Sequence, residues 1–113
     1  MSELSITVEN LKCVDLITVT GRVDSSNAPQ LDGKLKESMA NGRYNLVLEL
    51  SGVNYMSSAG LRAVVSALRE SKKQGGDVRL ANISARVDEV LSLAGLKSIL
   101  QTFDDDTTAV GSF

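Results

Sequence analysis

The chain is predicted to fold as one α/β domain, with a mixed β-sheet of four to five strands that opens on an N-terminal β-hairpin and with helices packed mainly on one face. Two short runs rich in β-branched residues lie next to each other near the N-terminus, which suits an antiparallel pair. After them, strand-like apolar runs alternate with segments of helical periodicity, the pattern of strands joined by crossover helices. The 113 residues, 42% hydrophobic and 23% charged, suffice for one core and not for two. A single domain over residues 1–113 is therefore expected, with right-handed crossovers.

In the first strand Leu4, Ile6 and Val8 alternate with polar residues, and after Asn10 to Lys12 the second strand runs from Cys13 to Thr20. Gly21 to Ser26 is read as leaving that strand. Asn27 then caps a helix whose third residue, Gln30, completes a capping box, and Pro29 suits only a first turn. Leu31, Leu35 and Met39 form its buried stripe, and Asn41-Gly42 stops it. The nearly continuous apolar run from Asn45 to Leu50 reads as the central strand. From Ser58, the spacing of Leu61, Val64, Val65 and Leu68 marks one helical face, ended by Lys72, Lys73 and Gly75-Gly76. Val78 to Ala81 reads as a short strand, and Ser84 as the cap of a helix burying Val87, Val90, Leu91 and Ala94 and ending at Gly95. Ile99 to Phe103 supplies an edge strand, and Asp104, Asp105 and Asp106 favour the start of a last short helix.

Composition narrows the function. Twelve basic against fourteen acidic residues give a net charge of -2, so neither nucleic acid nor an anionic membrane is an expected partner. No apolar run reaches the roughly 20 residues that span a bilayer, and the N-terminus lacks a signal-peptide pattern, so a cytoplasmic location is expected. The lone Cys13 cannot form an internal bridge and is read as a small core residue. With no histidine, a Ser-His-Asp or Cys-His pair is impossible and metal sites lose their commonest ligand. A Gly-x-Ser-x-Gly elbow and a Gly-x-x-x-x-Gly-Lys-Ser/Thr phosphate cradle are also missing from the sequence. No catalytic residue, metal or cofactor is expected.

The informative stretch runs from Leu50 to Arg62 and joins the central strand to the amphipathic helix. It puts Ser57 and Ser58 at a helix start, where free backbone N–H groups and the helix dipole tolerate an anion. Either serine can equally be an ordinary N-cap. Asn54, Tyr55 and Met56 precede it, Ala59 follows, and Gly60 leaves the first turn open to close approach. Asp24 and Ser25 are residues that a plain strand-to-helix turn would use. Arg62 either meets an acidic partner or is solvated.

Leu48-Glu49-Leu50-Ser51-Gly52-Val53 followed by Tyr55-Met56-Ser57-Ser58-Ala59-Gly60-Leu61 resembles the STAS-domain anti-sigma-factor antagonists. The similarity covers nearly the whole chain and includes Thr20-Gly21-Arg22-Val23-Asp24, Gln74-Gly75-Gly76, Ala81-Asn82-Ile83-Ser84 and Ala94-Gly95-Leu96. The resemblance implies a partner switch. In it the unmodified antagonist binds an anti-sigma factor that is also an ATP-dependent serine kinase, phosphorylation abolishes binding, and a metal-dependent serine phosphatase restores it. The modified serine of the family maps onto Ser58. The residue before it is often aspartate in the family and is Ser57 here, which makes Ser57 a secondary candidate. Asp24, Ser25, Asn54, Tyr55, Met56, Ser57, Ala59, Gly60 and Arg62 would form the partner surface. The alternative is an interaction module of the same fold that controls a non-sigma target, such as a secretion regulator, a cyclase or a larger signalling assembly, with or without phosphorylation.

Overall fold

The computed structural model describes residues 4–113. Five strands lie in the order in which they occur along the chain: β1 (Ser5–Asn10), β2 (Asp15–Val23), β3 (Asn45–Met56), β4 (Asp77–Ala81) and β5 (Thr102–Phe103). β1 pairs antiparallel with β2 as the expected hairpin, and every later pairing is parallel. Helices α1 (Ala28–Ala40), α2 (Ser58–Lys73) and α3 (Ala85–Leu93) form the three crossovers, and α4 (Asp106–Gly111) closes the chain. Because the strand order never reverses, crossovers of one hand put α1, α2 and α3 on the same side of the sheet.

The main core lies between that side and the three helices. Leu46, Leu48 and Leu50 of β3 meet Leu31 and Leu35 of α1, Val64 and Leu68 of α2, and Val87 and Leu91 of α3. The opposite side is covered in part by α4, where Ala109 joins Val14, Val47 and Ala81 in a small second cluster. The periodicity of each helix therefore points to the surface it covers, with three exceptions. Val65 and Val90 are half-buried and Ala94 is exposed, because each lies at the outer margin of its stripe.

Four expectations about the strands and their ends are corrected. β2 does not end at Thr20; it continues through Gly21, at φ 117°, to Val23, which pairs with Met56. β3 likewise runs six residues beyond Leu50, and it takes one extra residue against β2 at each of two places, between Glu49 and Gly52 and between Val53 and Tyr55. These bulges turn the usual two-residue repeat of core positions into the three-residue spacing of Leu50, Val53 and Met56, all of them buried. The spacing conceals a strand from a period-two reading. β5 contains only Thr102 and Phe103; Leu100 packs into the core ahead of it and Ile99 stays exposed. Cys13 is exposed in the β1–β2 turn, where the buried position belongs to its neighbour Val14.

The expected capping box at α1 does not form. Asn27 occupies the N-cap position, but its side chain clamps the preceding turn: Oδ1 accepts from the Asp24 N–H at 2.8 Å and Nδ2 donates to the Arg22 carbonyl at 2.8 Å. Gln30 reaches away to donate to the Leu4 carbonyl. Asn41 and Gly42, at φ 79°, end the helix as expected. At α3, Ser84 caps as read from sequence, its Oγ accepting from the Val87 N–H at 3.2 Å while donating to the Val53 carbonyl at 3.1 Å.

Candidate functional site: the start of helix α2

The long parallel pairing of β2 with β3 brings two chain reversals together. The Ser57 N–H donates to the Val23 carbonyl at 2.9 Å, so the turn from Asp24 to Asn27 sits beside the junction of β3 and α2. Residues more than thirty positions apart in sequence thus share one end of the sheet.

The two adjacent serines have different environments. Ser57 is half-buried with extended backbone, and its Oγ accepts from the Gly60 N–H at 3.2 Å, which makes it the N-cap. Ser58 is the first residue of α2 and is exposed, and its hydroxyl has no hydrogen-bond partner among the described residues. No acidic residue occupies the first turn of α2, so the free N–H groups there meet no carboxylate from their own helix.

Around Ser58 the expected residues separate by burial. Ser25, Asn54 and Arg62 are exposed, and Asp24, Tyr55 and Ala59 are half-buried. Met56 and Gly60 are buried, which corrects the expectation that they belong to the outer surface: a Cβ on Gly60 would lie 2.7 Å from Val23 Cγ1 and 3.0 Å from Met56 Cγ. The close approach that Gly60 allows is made by side chains of its own core, which seat the first turn of α2 on β2 and β3. Those two residues form the floor beneath the site. A shallow cleft between α1 and α2, lined by Ser25, Pro29, Asp32, Ala59 and Arg62, leads away from it, and a second groove follows the outer face of α2 from Ser58 past Arg62 and Val65.

The turn after β2 is rigid for reasons of charge as well as backbone. The Asp24 carboxylate accepts from the Ser26 hydroxyl at 2.6 Å and from the N–H groups of Ser26 and Asn27. The Ser26 side chain first, then the backbone donors and the nearby Arg22 charge, hold this carboxyl below its usual range. Asp24 is therefore fixed as an anion next to the α2 start. The sequence reading passed over Arg22 as a site residue. Its guanidinium lies 4.2 Å from the centre of the Tyr55 ring, and it is exposed on the same end of the sheet. The pairing of Arg22 with Tyr55 depends on the second bulge in β3, a register that no local pattern announces.

Among the described residues no cluster of three or more Cys, Asp or Glu is arranged to hold a metal, and no helix is long and apolar enough to cross a membrane. The unreversed strand order also lacks the switch point at which open α/β sheets form a ligand crevice. What the site offers is a hydroxyl on a rigid, mixed polar and apolar surface.

Comparison with known proteins agrees with the fold. The family model of the STAS domain matches residues 5–109. The chain is 36% identical over 84 residues to the anti-sigma-B factor antagonist of Bacillus subtilis, covering 74% of this chain and 76% of that one. The solved structure of the anti-sigma factor antagonist SpoIIAA in its unphosphorylated form superimposes with a TM-score of 0.83 at 20% identity, covering 96% of this chain and 95% of that one. The phosphorylated form of SpoIIAA from Bacillus gives 0.76 at 19% identity, covering 96% and 98%. From its five-strand sheet to the motif at the head of α2, the chain belongs to the STAS domain family of anti-sigma factor antagonists.

Proposed function

We propose that this protein is an anti-sigma-factor antagonist that acts by binding, as the switched component of a partner-switching pathway in the cytoplasm. Unphosphorylated, it sequesters an anti-sigma factor that is also a serine kinase. That kinase transfers the γ-phosphoryl group of ATP to Ser58 Oγ, releasing ADP and the hydroxyl proton, and the modified chain lets go. A metal-dependent serine phosphatase hydrolyses the phosphate ester and returns the binding form. Relatives named anti-sigma factor antagonists support the first statement, and a SpoIIAA structure described as phosphorylated supports the second by analogy.

The observation that carries the choice of residue is the division of labour between the two serines. Ser57 Oγ is engaged in capping, whereas Ser58 Oγ is exposed and uncommitted. The partner surface around it comprises Asp24, Ser25, Asn54, Tyr55, Ser57, Ala59 and Arg62, with Arg22 added and with Met56 and Gly60 as its support. A phosphate brings about -1.5 to -2 charges to the middle of that surface. Losing about 3 kcal/mol of binding free energy weakens association more than a hundredfold, so no refolding of the domain is required.

The test is incubation with the cognate kinase, with and without ATP, followed by mass spectrometry and a pull-down. One phosphate on Ser58, lost in Ser58→Ala and retained in Ser57→Ala, is expected, together with ATP-dependent release of the unaltered chain. Modification elsewhere, or retention of the phosphorylated chain by the kinase, would overturn the proposal.

A further inference from the structure

The first two turns of α2 carry a cation, Arg62, to which the switch described above gives a place in the partner surface but no role toward the phosphate itself. Arg62 follows Ser58 by four residues, the spacing that puts two side chains on one helix face with about 5–6 Å between their Cβ atoms. Both are exposed and both line the groove along the outer face of α2. Arg62 has no ion pair among the described residues. Arg69, Glu70 and Lys73 line the same groove further along α2, two turns or more beyond Ser58 and without ion pairs among the described residues, whereas the charged groups nearer the start of the helix are engaged. Asp32 of α1 shares a cleft with Arg62 but pairs with Lys36 at 2.9 Å. Asp24, beyond β2, accepts from Ser26 and Asn27, and Arg22 stacks on Tyr55. The first turn of α2 holds no carboxylate.

We propose that Arg62 is the intramolecular partner of a phosphate on Ser58: its guanidinium folds back along α2 and donates two N–H groups to the phosphoryl oxygens. The inference rests on Ser58 being the modified residue. It gives phosphorylation two effects on the same surface, since the phosphate is added and the free guanidinium is withdrawn from any acidic group of the partner. The planar fork of arginine matches a phosphate bidentately, which a lysine at this position would not do.

The test removes the kinase from the experiment. Phosphoserine is inserted at position 58 during translation, in the otherwise unaltered chain and in Arg62→Gln and Arg62→Lys, and 31P NMR follows the second phosphate ionisation, ordinarily near about 6. A paired guanidinium favours the dianion, so Arg62→Gln raises the midpoint by about 0.3 of a unit or more. Arg62→Lys recovers part of the difference, and added salt shrinks it. The Nε–H resonance of Arg62 is expected to move when position 58 changes from serine to phosphoserine. An unchanged midpoint in Arg62→Gln together with an unmoved Nε–H resonance would overturn the pairing. The same phosphorylated chain, titrated with the kinase, reports on the switch separately: undiminished binding there defeats the functional proposal, while the NMR midpoint decides the Arg62 pairing on its own.

Discussion

Ser57 and Ser58 show how one backbone step separates a structural hydroxyl from an available one. The side chain before the helix turns back to its orphan N–H groups, whereas that of the first helical residue is exposed and makes no hydrogen bond among the described residues. Ser57→Ala is expected to cost about 1 kcal/mol of stability, read as a lower urea midpoint with an unchanged slope, and to leave phosphorylation of Ser58 intact. Ser58→Ala is expected to leave the midpoint within about 0.5 kcal/mol of the unaltered chain. A larger loss in Ser58→Ala than in Ser57→Ala would reverse the assignment of cap and site. Two residues further on, Gly60→Ala forces a methyl group to within 2.7 Å of Val23. The expected penalty is about 1–3 kcal/mol, the usual range for overpacking, and equilibrium unfolding checks it. This glycine was legible in the sequence as a necessity, but its reason was not: periodicity reveals that a turn must be open, and only packing reveals to what.

At the scale of elements, the functional end of the molecule is built by β3, which has to be long and irregular at once. Its two bulges carry the strand from the sheet centre to the foot of α2 while returning Val53 and Met56 to the core. Gly52 permits the first of them, since a Cβ there would lie 3.0 Å from the Thr20 side chain. Ser84 links the same strand to the next crossover by capping α3 and bonding to the Val53 carbonyl. Ser84→Ala removes both interactions and is expected to destabilise the protein by about 1–2 kcal/mol, with the amide of Val87 losing protection in hydrogen exchange before those of β3. Equal protection in the variant and the unaltered chain would show that the cap contributes nothing.

Over the whole molecule, an ion pair ties the end opposite the start of α2. Asp15 at the head of β2 is 1% exposed and accepts from Arg43 Nε and from Asn10 Nδ2, both at 2.8 Å; Arg43, in the connection from α1 to β3, also donates to the Leu11 and Val14 carbonyls. Burial alone would raise the Asp15 carboxyl, but the hydrogen bonds and the guanidinium charge outweigh it and hold the group below its ordinary value of 3.8. Its contribution to stability is therefore complete above that value and is lost as pH falls through the lower folded value. Unfolding free energy measured from pH 6 to pH 2.5 is expected to fall more steeply below about pH 4 in the unaltered chain than in Asp15→Asn, and parallel curves would refute the assignment. Arg43→Leu strands the carboxylate and is expected to cost about 3 kcal/mol at neutral pH.

The amino-acid sequence by itself determined the order and type of the elements, the buried stripes of the helices and the motif that places a serine at the head of α2, because these follow from local periodicity, caps and turn residues. Tertiary structure decided the length of β2 and β3, the exposure of Cys13, the burial of Met56 and Gly60, the partnership of Arg22 with Tyr55, and which of two neighbouring hydroxyls is left open. Each of these depends on strand register and on contacts between residues distant in the chain, and register is set by the fit of whole surfaces, which no short window of sequence contains.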